Sequence, residues 1–158
     1  MNILLVTNLF PTPVEPERGI FTLQLVKRLI NKASVTVVCP LPWFPKWEVL
    51  ERFSKWYSFS QVPYHYQIDG VEVYSPKYLM LPKVSAAHQA FLMKLGLAPC
   101  LKKLSQQEHF DVINSHWFYP DGVAVDKLMK TINIPHIPTG LGCDVNRYIV
   151  DPEKREQV

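Results

Sequence analysis

The sequence predicts an α/β domain with a doubly wound, mainly parallel sheet. Short runs of β-branched and aliphatic residues recur along the chain, long enough for buried strands but too short for helices. Segments with apolar residues at helical spacing separate these runs. A strand, a loop, a helix and a second strand fill roughly the first forty residues, and such a crossover unit implies a parallel sheet covered on both faces.

The first crossover unit is expected to contain two strands and an intervening helix, at residues 2–7, 34–39 and 20–31. Pro11, Pro13 and Pro16 exclude a regular element from the loop that joins the first strand to the helix. A loop of this length after a strand is therefore a candidate for ligand binding.

The middle of the chain is less regular. Residues 41–63 are expected to be irregular except for a short helix at 48–57. Residues 64–76 predict either one strand or a hairpin that turns at Asp69-Gly70.

The second half continues the alternation of strands and helices. A helix, a strand, a second helix and a last strand are expected at residues 83–107, 111–115, 122–133 and 135–139. Pro99 lies inside the first of these helices and should kink or split it. The regular alternation is what predicts the doubly wound sheet.

Composition excludes several classes of protein. The chain is 47% hydrophobic and 20% charged, and its formal net charge of +3 is too small to argue for nucleic acid binding. No apolar run is long enough for a transmembrane helix, and the first residues lack the pattern of a signal peptide. Three widely spaced cysteines provide neither a disulfide framework nor metal-ligand spacing, which is typical of a reducing, cytoplasmic setting.

Ligands of such sheets bind beyond the carboxyl ends of the strands, where three segments are expected to converge: residues 8–19, 116–122 and 140–147. In the first segment, Arg18-Gly19 leads directly into a helix, whose N-terminus suits a phosphate. The alternative is that Gly19 is needed only for a turn.

The second segment contains His116, whose imidazole could bind a sugar hydroxyl or an anionic oxygen, or could be purely structural. A hydrolase triad of Ser115, His116 and Asp121 is disfavoured, because adjacent residues of a strand point to opposite sides and no nucleophile elbow is present. The five histidines show no metal-ligand spacing.

The third segment offers Gly142 for close backbone approach and Asp144 and Arg147 for polar contacts, although Asp144 could instead cap the following helix. The aromatic stretch around Trp43 and Trp47 predicts a lid over the core, an acceptor groove that stacks on sugars or, with least support, a membrane contact.

Several of these segments resemble the N-terminal domain of family-4 glycosyltransferases with the GT-B fold. The matching stretches are residues 2–7, the loop at 11–19, residues 35–38, residues 110–117, the string from His116 to Ala124 and residues 144–148. The resemblance spans nearly the whole chain. Two departures are Arg18, where the family often has a second glycine, and Cys143, where it often has serine.

The resemblance implies a retaining enzyme with two Rossmann-like domains that face a cleft, a nucleotide-sugar donor, no further cofactor and no metal. It implies that His116 contacts the transferred sugar near its anomeric carbon and acts in catalysis. The expected donor-binding residues are Arg18, Gly19, Gly142, Asp144 and Arg147. The expected acceptor-binding residues are Trp43, Trp47, Trp117 and Tyr119.

Residues 1–158 are accordingly expected to form the acceptor-side domain, and the nucleotide pocket to lie in a C-terminal domain of the same protein outside these residues. Alone, the 158 residues are expected to be inactive. The implied acceptor is a saccharide or a lipid-linked saccharide, and the implied setting is bacterial cell-envelope polysaccharide synthesis in the cytoplasm, with peripheral membrane contact left open. The alternatives are a non-catalytic binding module for a phosphorylated sugar or nucleotide, and an epimerase of the same architecture.

Overall fold

The aliphatic runs of the sequence form a six-stranded sheet in the structure, a computed structural model that describes residues 1–43, 57–80 and 88–148. The sheet strands, in chain order, are β1 (Asn2–Val6), β2 (Ser34–Val38), β4 (His65–Ile68), β5 (Val71–Tyr74), β7 (Val112–His116) and β8 (His136–Thr139). A separate pair of short parallel strands consists of β3 (Leu41–Trp43) and β6 (Lys77–Leu79).

The strand order is β4-β5-β2-β1-β7-β8, and every neighbouring pair is parallel except the hairpin of β4 and β5. The parallel strands therefore run outward from β1 in both directions, as in a doubly wound, Rossmann-like sheet. The predicted fold class is confirmed. The order reverses between β1 and β7, which makes the carboxyl ends of these two strands the topological switch point.

Helices cover both faces of the sheet. They are α1 (Ile20–Leu29), α2 (Tyr57–Ser60), α3 (Gln89–Gln107), α4 (Val123–Asp126), α5 (Met129–Ile132) and α6 (Cys143–Tyr148). On one face, Leu23 and Val26 of α1 share a buried core with Leu5 of β1. On the other face, Leu97 of α3 shares a second core with Leu4. Since neighbouring residues of β1 enter different cores, the sheet is buried on both sides.

The structure resolves one alternative and corrects three expectations. Residues 65–74 form the hairpin, which turns at Asp69-Gly70. The strands β3 and β6 were not predicted. Helix α3 runs through Pro99 without a break, so of the two expected effects the split is wrong and the kink stays a prediction.

The helix expected at 122–133 is two short helices, because the Leu128 amide bonds to the Val125 carbonyl in a tighter turn between them. Of the short helix expected at 48–57, only the last residue, Tyr57, lies within the described residues, and α2 begins there. Within the three described ranges, no helix is both long enough and apolar enough to cross a membrane.

Candidate functional site

Three loops meet at the switch point, as the sequence predicted. The backbone N–H of Asn8, just after β1, donates to Asp121 Oδ1 over 2.7 Å. The backbone N–H of Trp117, just after β7, donates to the carbonyl of Thr139 at the end of β8 over 2.9 Å. The loops after β1, β7 and β8 therefore form one continuous rim at the carboxyl edge of the sheet.

His116 is the last residue of β7 rather than the first residue beyond it. Its side chain is 2% exposed, and its Nδ1 atom has no hydrogen-bond partner among the described residues. Burial lowers the pKa of the imidazole, which favours the neutral form of the ring. A buried, neutral ring with an unpaired nitrogen can accept or donate a hydrogen bond to a ligand without adding charge.

Asp121, which the sequence raised as part of a disfavoured triad, joins the turn after β7 to the loop after β1. It is fully buried, and its Oδ2 atom has no hydrogen-bond partner in the described part of the chain. Burial raises the pKa of this carboxyl well above its usual range, although the Asn8 amide and the charge of Arg18 oppose that shift. Asp121 falls within the string from His116 to Ala124, but nothing in that string indicated its contact with the loop after β1.

Arg18 points into the rim and holds its first loop. Its Nε and Nη2 atoms both donate to the carbonyl of Asn8, over 3.2 and 2.8 Å. Its Nη1 atom lies 3.4 Å from Glu15 Oε2, and its guanidinium carbon lies 4.6 Å from the centre of the Phe59 ring. Of the five N–H donors of a guanidinium, these contacts leave some for a ligand.

A cavity of about 450 Å³ opens beside Arg18, which we call the Arg18 cavity. Its polar lining consists of Asn8, Glu15, Arg18, Tyr78 and Gln89, and its apolar lining of Pro40, Pro42, Phe59 and Met80. Most of these residues lie in β3, β6 and α2 or beside them, elements whose juxtaposition the sequence did not reveal. A hydroxyl-rich ring suits such a lining, because it presents both polar edges and an apolar face.

Gly19 begins α1 in the left-handed region, with φ +59°. A Cβ atom built there would lie 2.2 Å from the Leu9 carbonyl oxygen. Any side chain at this position would collide with the backbone of the same loop, so the turn itself requires glycine, as the alternative interpretation of the sequence held. The proposed contact of Gly19 with the donor stays a prediction.

The remaining donor-side candidates lie in the third loop. Gly142 has φ +100° and open space where a Cβ would be. Asp144, 1% exposed, accepts the backbone N–H groups of Phe118 over 2.8 Å and of Leu141 over 2.9 Å. Because α6 begins at Cys143, Asp144 lies inside the first turn and is not the residue that caps it. The side chain of Arg147 lies outside the described residues.

The three acceptor candidates within the described residues differ in their exposure. Trp43 ends β3 and is 49% exposed, whereas Trp47 lies outside the described residues. Trp117 has φ 78°, and its indole N–H is buried with no partner in the ranges that the structure describes. Tyr119 is buried. Only Trp43 among the described candidates presents a largely open aromatic face.

The structure also gives Ser115 a different partner from the triad that the sequence considered. The Ser115 hydroxyl lies 2.8 Å from His136 Nε2, across the β7–β8 pair, and the serine is fully buried. His136 borders a second cavity of about 510 Å³ beside the edge strand β8. In the described residues no group of three histidine, cysteine or acidic side chains could hold a metal ion.

Comparison with known proteins identifies one similar curated protein. No protein-family profile matches the chain. The chain is 29% identical over 154 residues to the candidate teichuronic acid biosynthesis glycosyltransferase TuaC of Bacillus subtilis (strain 168). The chain is similar to a glycosyltransferase. The resemblance to glycosyltransferases that the sequence motifs predicted is thereby confirmed.

This match covers 94% of the chain and 38% of TuaC, so the chain spans well under half the length of the curated relative. Among solved structures, the crystal structure of the glycotransferase of kitacinnamycin aligns with a TM-score of 0.47 and 15% sequence identity. That alignment covers 99% of this chain and 37% of the other chain.

Proposed function

We propose that the complete protein is a retaining glycosyltransferase of family 4 and that this region is its acceptor-side domain. The enzyme would transfer a sugar from a nucleotide-sugar to a saccharide or lipid-linked acceptor during synthesis of bacterial cell-envelope polysaccharide, in the cytoplasm or at the inner face of the membrane. The similarity to TuaC, whose name refers to teichuronic acid biosynthesis, supports the reaction class and the setting.

One observation carries the proposal: the buried imidazole of His116 lies at the switch point, and its Nδ1 atom has no partner among the described residues. Buried polar groups of folded proteins are nearly always paired, so an unpaired one in a ligand crevice calls for a partner. A hydroxyl of the transferred sugar would supply that partner. A neutral ring suits this contact better than a cation, since charge develops on the sugar itself during transfer.

In the proposed reaction, a hydroxyl oxygen of the acceptor forms a bond to the anomeric carbon of the donor sugar. The bond between that carbon and the diphosphate oxygen breaks on the same face, and the acceptor proton passes to the departing phosphate. The protein contributes chiefly by alignment and electrostatics. Donor and acceptor must therefore both reach the rim that His116 borders.

The Arg18 cavity is the proposed position of the acceptor saccharide. Its volume of about 450 Å³ falls in the usual range of small-molecule sites. Glu15 and Gln89 can bind hydroxyl groups, and the Phe59 ring offers an apolar face. The exposed indole of Trp43 follows Pro42, which lines the cavity, and is a candidate to stack on a further sugar unit.

The donor side of the proposal retains Gly19, Gly142, Asp144 and Arg147, with Arg18 between the two substrates. The proposed C-terminal domain would supply most of the contacts to the nucleotide. We therefore expect the 158 residues alone to bind nucleotide-sugars weakly and to catalyse no multiple turnover. Tight donor binding by this chain alone would contradict the assignment of these residues to the acceptor side.

The test is a radiolabel transfer assay with the full-length protein and several nucleotide-sugars. His116→Ala should lower kcat by about 10²-fold or more, as loss of one preorganised polar contact does. His109→Ala is the matched control, because that side chain is 85% exposed at the opposite edge of the sheet. Wild-type turnover by His116→Ala at saturating donor would refute the role of His116. Donor binding without transfer by the wild-type protein would instead favour a non-catalytic binding module.

A further inference from the structure

Two aspartates hold the β1–β7 strand pair, one at each end. At the amino edge, Asp111 Oδ2 accepts the backbone N–H of Asn2 over 2.7 Å, on an exposed surface. At the carboxyl edge, Asp121 Oδ1 accepts the backbone N–H of Asn8 over the same distance, in a fully buried position. The two contacts are chemically alike, but only the second one lies in the candidate site.

The backbone of Asn8 is held at both its N–H and its carbonyl group. Asp121 takes its N–H, and two guanidinium nitrogens of Arg18 donate to its carbonyl oxygen. Through Arg18 the contact extends to Glu15 and Phe59 in the wall of the Arg18 cavity. The backbone of this one residue thus joins the turn after His116 to the side chains that line the cavity.

A carboxyl group at this position makes an unfavourable contribution to the free energy of folding. It is fully buried, and Oδ2 has no partner among the described residues. Two charged groups act on this carboxyl: Arg18 lowers its pKa and Asp144 raises it. The charge of Asp121 in turn acts on Cys39 and Tyr78. An apolar side chain of similar size would fill the space without burying an unpaired oxygen, but it would leave the Asn8 N–H without its acceptor. The carboxyl is therefore better explained by what it holds in place than by stability.

We propose that Asp121 is a positioning residue, which fixes the loop after β1, and with it Arg18 and the cavity wall, against the turn that carries His116. The structural part of this inference is independent of the reaction. Its consequence for turnover rests on the proposed function.

The first test is amide hydrogen exchange in the 158-residue chain. Asp121→Leu removes the acceptor while filling the space, and Asp121→Asn retains an oxygen that can accept the same bond. We expect Asp121→Leu to raise the exchange rate of the Asn8 amide at least about tenfold, with Leu4 in the middle of β1 unchanged. Asp121→Asn should raise it much less.

Asp111→Ala is the matched control and should raise exchange at Asn2 but not at Asn8. Unchanged exchange at Asn8 in a folded Asp121→Leu chain would overturn the proposal. So would a chain that folds with Asn but not with Leu at this position, because Asp121 would then be a requirement of the fold rather than a positioning residue.

The second test uses transfer by the full-length protein. Asp121→Leu should lower kcat at least about tenfold, because misplacing one wall of the site disturbs alignment, while the KM for the donor changes little. Asp121→Asn should lower kcat less, and Asp111→Ala should leave it unchanged. Wild-type turnover by Asp121→Leu with raised Asn8 exchange would overturn the positioning role. Absence of transfer in the wild-type protein would refute the proposed function. The hydrogen-exchange result would then decide by itself whether Asp121 fixes the loop after β1.

Discussion

Replacement of Gly19 by alanine should destabilise the fold through two separate effects. Gly19 has φ +59°, a conformation that costs an L-residue roughly 1–2 kcal/mol. A Cβ atom there would also lie 2.2 Å from the Leu9 carbonyl oxygen and 2.4 Å from its carbon. Because those atoms are backbone, the loop must move, and such overpacking typically costs about 1–3 kcal/mol.

The sum is roughly 2–5 kcal/mol of unfolding free energy. For a domain of this size each kcal/mol lowers the melting temperature by about 2–4 °C, so Gly19→Ala should lower it by roughly 4–20 °C. Urea denaturation gives the free energy, and differential scanning calorimetry gives the melting temperature.

Gly70 provides the matched control. Its φ is +79°, but apart from its chain neighbours no heavy atom of the described residues lies within 4 Å of the position that a Cβ would take. Gly70→Ala should therefore show only the conformational cost, about 1–2 kcal/mol. Asparagine tolerates this conformation, so Gly70→Asn should recover much of the loss, whereas Gly19→Asn should not. Equal losses for alanine at the two positions would refute the steric argument.

Three further predictions concern His116 and Asp144 at the rim and Trp43 at the end of β3. Burial holds the pKa of His116 below its value of about 6.5 in the unfolded chain, so the unfolded chain is protonated first as the pH falls. The unfolding free energy should therefore decrease as the pH drops below about 6.5. His116→Asn should reduce this decrease, and part of it should remain because the pKa of His136 is lowered too. An unchanged pH dependence would contradict this. Asp144→Ala leaves two backbone amides without their acceptor and should cost roughly 2–5 kcal/mol in urea denaturation, whereas a loss below about 1 kcal/mol would show that water replaces the carboxylate. Trp43 is 49% exposed, so Trp43→Phe should remove a red-shifted component of tryptophan emission, and an unchanged spectrum would place the indole in the core.

Local pattern was enough to predict most of the sheet. The strands β1, β2, β7 and β8 and the helix α1 form where aliphatic runs and helical spacing predicted them, to within a residue or two. Each of these elements carries its own periodic signal, because one or both of its faces are buried. The pairing of β3 with β6 carries no such signal. Each of these strands has only three residues, and β3 contains Pro42. They form strands because each pairs with a partner that is distant in the sequence.

For the candidate site, the sequence by itself determined where to look. Strand ends in a parallel sheet share one edge, so the loops after β1, β7 and β8 had to meet, and His116 had to lie among them. Which side chains join those loops was decided only by the tertiary structure. The Asp121–Asn8 contact spans 113 positions of the chain, and Ser115 pairs with His136 rather than with its neighbour. Such contacts depend on strand order, register and the course of each turn, which arise from packing the whole sheet and which no local stretch of residues encodes.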